Sequence, residues 1–252
     1  MEKKSQLAGL MERLGYEYTV LEQGAENGDM VALFEAEAAK GRAAGYTPVL
    51  IPFEPEGERD LLVESVESNL EAGFNIAESL KKSLPTGAEA LESIDSAYKE
   101  MMGFDADAFA AQFGEDDPID PGFDDGMQMP DCFGGIAKNA MFGETHIMLV
   151  KLPTVNPWEA ALMIPFGGMN FMPDPESMAA VLKDWYEKYG AAAAVITFDT
   201  LDLLLPAPIA PEAVAEAARQ QLIFDFDIYQ TGGPALLEKV LSGSRVWSFW
   251  WD

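Results

Sequence analysis

The chain of 252 residues holds a single cysteine, Cys132, and a single histidine, His146. One thiol excludes an internal disulfide and any zinc site built from several thiolates. Basic residues are also scarce: 16 Lys and Arg face 43 Asp and Glu, a formal net charge of −27. A field of that sign repels phosphate backbones and anionic lipid surfaces, so neither nucleic acid nor membrane is an expected partner. Basic proteins, cationic ligands or metal ions fit it better, and solubility or a salty cytoplasm would account for it as well. No apolar run reaches bilayer-spanning length, and Glu12 and Arg13 interrupt the place where a signal peptide needs an unbroken apolar core. The chain therefore reads as soluble and cytoplasmic. Nucleotide-binding loops of the Gly-x-x-x-x-Gly-Lys-Ser/Thr and Gly-x-Gly-x-x-Gly types are missing, as is a Gly-x-Ser-x-Gly elbow for a serine nucleophile.

What is present is a globular composition, 48% hydrophobic and 11% aromatic, enough to bury one large core or two modest ones. Ser5 to Leu14 carries Leu7, Leu10, Met11 and Leu14 at helical spacing and stops at Gly15. A strand is expected over 16–21, a helix over 30–44, and a buried strand over 47–53 with Pro48 and Pro52 near its ends. Residues 59–113 read as a helical insert in about three pieces. The stretch 115–142, rich in Asp, Pro and Gly, reads as an acidic connection to a more regular half, 143–252. There, strands are expected at 145–151, 160–166, 193–198 and 201–205. Helices are expected from Asp174-Pro175-Glu176 to Gly190, over 211–224 and over 234–241. The aromatic run Val246 to Trp251 is a closing strand. The fold class is α/β (α+β), a mixed sheet layered with helices, which the strand at 47–53 can join.

Several fragments of this second half belong together. They are Asn156-Pro157-Trp158-Glu159, Pro165-Phe166-Gly167-Gly168-Met169-Asn170, Trp185-Tyr186, Tyr189-Gly190-Ala191, Asp199-Thr200-Leu201, Asp227-Ile228 and Trp250-Trp251-Asp252. In this order and spacing, from about residue 152 to 252, they resemble the bacterial domain-of-unknown-function 4253 family. Upstream, Gly45-Tyr46-Thr47-Pro48-Val49-Leu50 is similar to the segment that precedes this domain in relatives; the helical insert is not. The family has no established activity, so the resemblance implies architecture and candidate positions only. Where relatives carry cysteine and histidine, this chain has Met172, Met178 and Asp225-Phe226. Any metal or redox site built on those residues is therefore not inherited here.

The chemistry-bearing residues form few constellations. His146 stands alone in its strand, where a histidine is more often structural than a base, and only their uniqueness pairs it with Cys132. The Gly167-Gly168-Met169-Asn170 turn, ahead of the helix at Pro175, offers backbone N–H groups for a small anion, or is a plain tight turn. Asp199 with Asp202, and Asp225 with Asp227, are paired acids on what reads as extended chain. Oxygen ligands of that kind suit Mg²⁺ or Ca²⁺, or an acid–base pair. With 43 acids in the chain, such pairs also arise by chance. The candidate pocket gathers Asn170, Trp185, Tyr186, Asp199, Asp227 and Trp251. The expected function is a non-catalytic acidic binding module, for example an immunity-like protein against a basic protein partner, with no cofactor. One alternative is a hydrolase-like enzyme with a divalent metal at Asp199, Asp225 and Asp227. Another is a salt-adapted protein with no specific charged partner.

Overall fold

The structure is a computed structural model that describes residues 5–21, 27–54, 60–111, 131–141, 146–168, 171–231 and 233–251. Six strands are present among them: β1 (Glu17–Leu21), β2 (Thr47–Phe53), β3 (His146–Leu152), β4 (Ala192–Ile196), β5 (Thr200–Leu204) and β6 (Val246–Trp250). They form one sheet in the order β1-β3-β2-β4-β5-β6. Every neighbouring pair is antiparallel except β2 and β4, which run parallel at the centre. The N-terminal half thus supplies one edge strand and a central strand to the sheet that the C-terminal half completes.

The helices are α1 (Gln6–Leu14), α2 (Asn27–Ala44), α3 (Leu61–Glu71), α4 (Ile76–Ser79), α5 (Gly87–Met102), α6 (Ala106–Ala110), α7 (Gly134–Met141), α8 (Ala160–Met163), α9 (Pro175–Tyr189), α10 (Pro211–Phe224) and α11 (Gly233–Gly243). Side-chain alternation sends each strand into two cores. In β2, which is buried along its whole length, Val49 and Ile51 face a large core shared with α1, α3, α5, α9 and α10. Leu50 faces the opposite way, with Ile147, Leu149 and Val195, toward Met30, Val31 and Phe34 of α2 and Phe133 and Ile136 of α7. The architecture is therefore three-layered, helices on both faces of a mixed sheet.

Local chemistry explains most boundaries. Asp174 caps α9 by accepting from the Glu176 and Ser177 amides at 2.9 and 3.0 Å, Pro175 fits the first turn, and Gly190 closes the helix at φ +74°. Such a cap contributes about 1 kcal/mol. Ser5 and Gly15 do the same for α1. In place of the strand expected over 160–166, the chain forms a 3₁₀ turn at Pro157–Glu159 and then α8. All four α8 residues are buried, and a short apolar run lacks the periodicity that separates a buried helix from a buried strand. The connection expected over 115–142 ends in a helix, α7; its stretch 115–130 lies outside the described residues.

The aromatic strand β6 is an edge strand, with one face packed and one largely outward. Trp247, Phe249 and Trp251 point into the large core. There Trp185 of α9 stacks on Phe249 at 5.4 Å and meets Trp247 edge-on at 5.6 Å, while Phe224 of α10 meets Trp251 at 5.5 Å. Burying rings of this size contributes roughly 5 kcal/mol each in gross transfer terms. Trp185 keeps its indole N–H satisfied by donating to Gln220 Oε1 at 2.8 Å.

Candidate functional site

The two ends of the parallel β2–β4 pair differ in chemistry. At the C-terminal end of β4, Asp199 sits in the turn to β5. Its Oδ1 accepts from the Thr197 and Thr200 hydroxyls at 2.9 and 3.0 Å, and its Oδ2 accepts from the Trp250 indole N–H at 3.1 Å. Asp225 lies beyond the last turn of α10. Its two oxygens accept from the backbone amides of Asp227, at 2.9 Å, and Trp250, at 3.0 Å. Trp250 is therefore held from both sides, its ring by Asp199 and its outward-facing amide by Asp225. That second contact covers a donor which an edge strand would otherwise present to another chain. Ser244 treats the Val246 amide in the same way at 2.9 Å. Burial lifts the Asp225 carboxyl to about 7, with the nearby Asp227 charge adding to the effect.

This geometry changes the reading of the paired acids. Asp225 and Asp227 are not on an extended segment: Asp225 ends a helix and Asp227 belongs to the 3₁₀ turn Phe226–Thr231. Asp202 of β5 points to the face covered by α7 and is fully buried. Its Oδ2 accepts from the Gly135 amide at 2.9 Å, while Oδ1 has no hydrogen-bond partner among the described residues. Burial raises its carboxyl to about 7, partly offset by the Gly135 amide and by the Ser248 hydroxyl and Gly134 amide, which lie near the carboxyl without reaching hydrogen-bond geometry. The close seat of α7 requires the glycine pair: a Cβ on Gly134 would stand 2.8 Å from Ser248 Oγ, and one on Gly135 3.1 Å from Val195 Cγ1. Among the described residues, no group of three or more His, Cys, Asp or Glu side chains is placed to hold a metal ion.

The unique histidine and cysteine also have separate surroundings. His146 packs edge-on to Phe53 at 6.0 Å, and its Nδ1 is buried without a partner among the described residues. Cys132 is half-buried, and its thiol is pushed up by burial first and then by the charges of Asp202 and Asp131. A raised thiol is a poor nucleophile. In the glycine turn, the amides are already spoken for: Gly167 N–H donates to Ser65 Oγ at 3.3 Å and Gly168 N–H to the Met172 carbonyl at 3.2 Å. Asn170 lies outside the described residues.

The opposite end of the sheet holds an open cleft of about 700 Å³. One wall is α2 with the start of β2, including Phe34, Arg42 and Tyr46; the other is Pro157, Tyr186 and Gly190, with Leu204 to Pro206 closing the end of β5. Gly41 sets this wall, because a Cβ there would lie 2.3 Å from the Tyr46 carbonyl. Its absence lets the chain double back through Gly45, at φ +86°, and lay Tyr46 against the helix. The Tyr46 hydroxyl donates to Glu37 at 3.0 Å. Tyr186 also contacts Trp158, their rings 5.3 Å apart.

Of the five described residues expected to share a pocket, Asp199 and Trp251 meet, the Trp251 amide donating to the Asp199 carbonyl at 3.0 Å, while Tyr186 stands apart from them. Trp185 and Trp251 are core, at 0% and 1% exposure. Tyr186 lines the cleft at one end of the sheet. Asp199 marks the other end, where Asp227 lies beside Asp225. The cleft escaped the sequence because its walls are remote in the chain; Tyr46-Thr47-Pro48 beside Pro157, Tyr186 and Gly190 was the available signal.

Comparison with known proteins adds one finding. Residues 148–252 match the model of a family described as a domain of unknown function (DUF4253). No curated protein and no solved structure matches the chain. The matched segment contributes β4 to β6, α8 to α11 and one wall of the cleft, while the other wall comes from the residues before it.

Proposed function

We propose that this chain is a non-catalytic binding module whose acidic surface engages a basic protein partner, an immunity-like role against a basic effector being one concrete form. The supporting observation is where its few cations go. Arg13, Lys82, Lys99, Arg219 and Arg245 pair with Glu67, Glu176, Asp105, Asp107 and the Glu35–Asp131 couple, and Lys40, Lys183 and Lys188 pair along their own helices. With most described cations spent internally, the surplus of acids faces solvent uncompensated. A surface of that kind steers a cationic partner and favours its encounter at low salt.

The carboxylates that burial perturbs most, Asp202 and Asp225, act as a cap under α7 and a lock on the β6 edge. Neither needs a substrate to explain it. The test is affinity capture from a lysate of the source, followed by calorimetric titration with each purified basic protein retained. Saturable binding that weakens at least about tenfold between about 50 and 500 mM salt is expected. Titrations that never saturate, or whose affinity ignores salt, overturn the reading.

A further inference from the structure

Among the described residues, the cleft between Tyr46 and Tyr186 holds a cation that the surrounding acids leave unpaired. Two acids line it, and both face cations outside the lining. Glu35 accepts from Arg245 Nη1 at 2.7 Å, and Glu187 at the rim has Lys183 Nζ at 3.9 Å. Its cation, Arg42 near the end of α2, has no acidic partner among the described residues. A second cation behind the same wall, Lys151, with Nζ 5.2 Å from the centroid of the Tyr46 ring, is already faced by Glu37 and by Glu17 across the strand pair, so Arg42 is the cation that counts. The charge left uncommitted at this site is positive, on a protein whose total is −27.

We propose that this cleft binds a small organic anion, an apolar or aromatic body carrying one carboxylate or phosphate. A guanidinium takes either group through two parallel N–H donors, which fixes orientation as well as charge. Phe34, Tyr46 and Tyr186 supply aromatic surface for the body, and a volume of about 700 Å³ is that of a small-molecule site. The net negative field does not forbid this. Beyond a Debye length of about 8 Å the remote acids are screened, and the nearest charges decide.

The experiment is an NMR titration of the isotope-labelled full chain with three probes of one shape, 1-naphthoate, 1-naphthyl phosphate and the neutral 1-naphthamide. Both anions are expected to shift the amide resonances of Arg42, Tyr46, Tyr186 and Gly190 saturably, with the amide at least about tenfold weaker. The tighter anion of the two assigns the headgroup. Arg42→Gln is expected to weaken the anions about tenfold and leave the amide unchanged, since it removes the charge and keeps the aromatic walls. Val155, at the mouth and 55% exposed, provides a check that does not touch α2. Val155→Lys strengthens anion binding and Val155→Glu weakens it. Equal binding of amide and anions, shifts that map elsewhere, or indifference to both positions overturns the proposal. None of the probes carries a basic group, so failure of the partner reading leaves this result unchanged.

Discussion

Replacing Asp202 by Asn isolates the cost of seating a carboxylate beneath α7. The side chain is fully buried, one oxygen accepts from Gly135, and the other has no partner among the described residues. Burial moves its carboxyl from 3.8 to about 7; at 1.36 kcal/mol per tenfold change in dissociation, that displacement is on the order of 4 kcal/mol. Because the folded pKa lies above the unfolded one, the native state holds the proton more tightly. The associated stability is complete below about pH 4 and is lost as pH rises through about 7. Asn has no proton to lose. Its oxygen can still accept from Gly135, and its amide can donate toward the Ser248 hydroxyl.

Urea unfolding of both proteins should therefore give similar stabilities at about pH 4, with the variant ahead by a few kcal/mol at about pH 8. Protonating surface acids relieves the self-repulsion of a −27 chain and stabilises both proteins as pH falls. That background cancels in the difference between them. A gap between the two proteins that stays constant across the range would refute the reasoning.

Two further outcomes follow from other contacts. Trp250→Phe removes the indole donor to Asp199 while keeping a ring on the edge strand, and should cost about 1–2 kcal/mol. In a chain of this length that appears as a fall in Tm of a few degrees in a thermal melt, and an unchanged Tm would remove the indole from the account of how β6 is held. Gly41→Ala forces a Cβ onto the Tyr46 carbonyl, so about 1–3 kcal/mol of stability is expected to go, read by the same melt. Tyr46 should shift with it, moving its amide resonance, and an unperturbed Tyr46 would show that α2 does not set the cleft wall.

The helices with chemical punctuation were legible residue by residue. Asp174-Pro175-Glu176 and Gly190 bracket α9, and Ser5 and Gly15 bracket α1, because caps act through neighbours in sequence. The strand between Pro48 and Pro52 was legible as buried for the same local reason, and the resemblance of the second half agrees with the segment matched at 148–252. What stayed hidden depends on distant partners. Ala160 to Met163 forms a helix because it packs under α9, and nothing in four apolar residues announces that. Asp202 and Asp225 looked like two among 43 acids. Only the seat of α7 and the edge position of β6 single them out. Tyr186 is a pocket residue by sequence, but its neighbours there, Phe34, Arg42 and Tyr46, come from the far end of the chain.

The central place of β2 carries a kinetic consequence. Six of its seven residues are apolar and all seven are buried, and its two neighbours are β3, which begins at His146, and β4, which begins at Ala192. Until a long stretch of chain has been made and brought back, this strand has no partner on either side. Loop closure over such separations precedes any reward from pairing, so folding is slow for the size of the molecule. During that interval a sticky, uncharged ribbon is open to copies of itself. The acid excess along the rest of the chain then sets such copies repelling one another while the middle of the sheet waits to be filled.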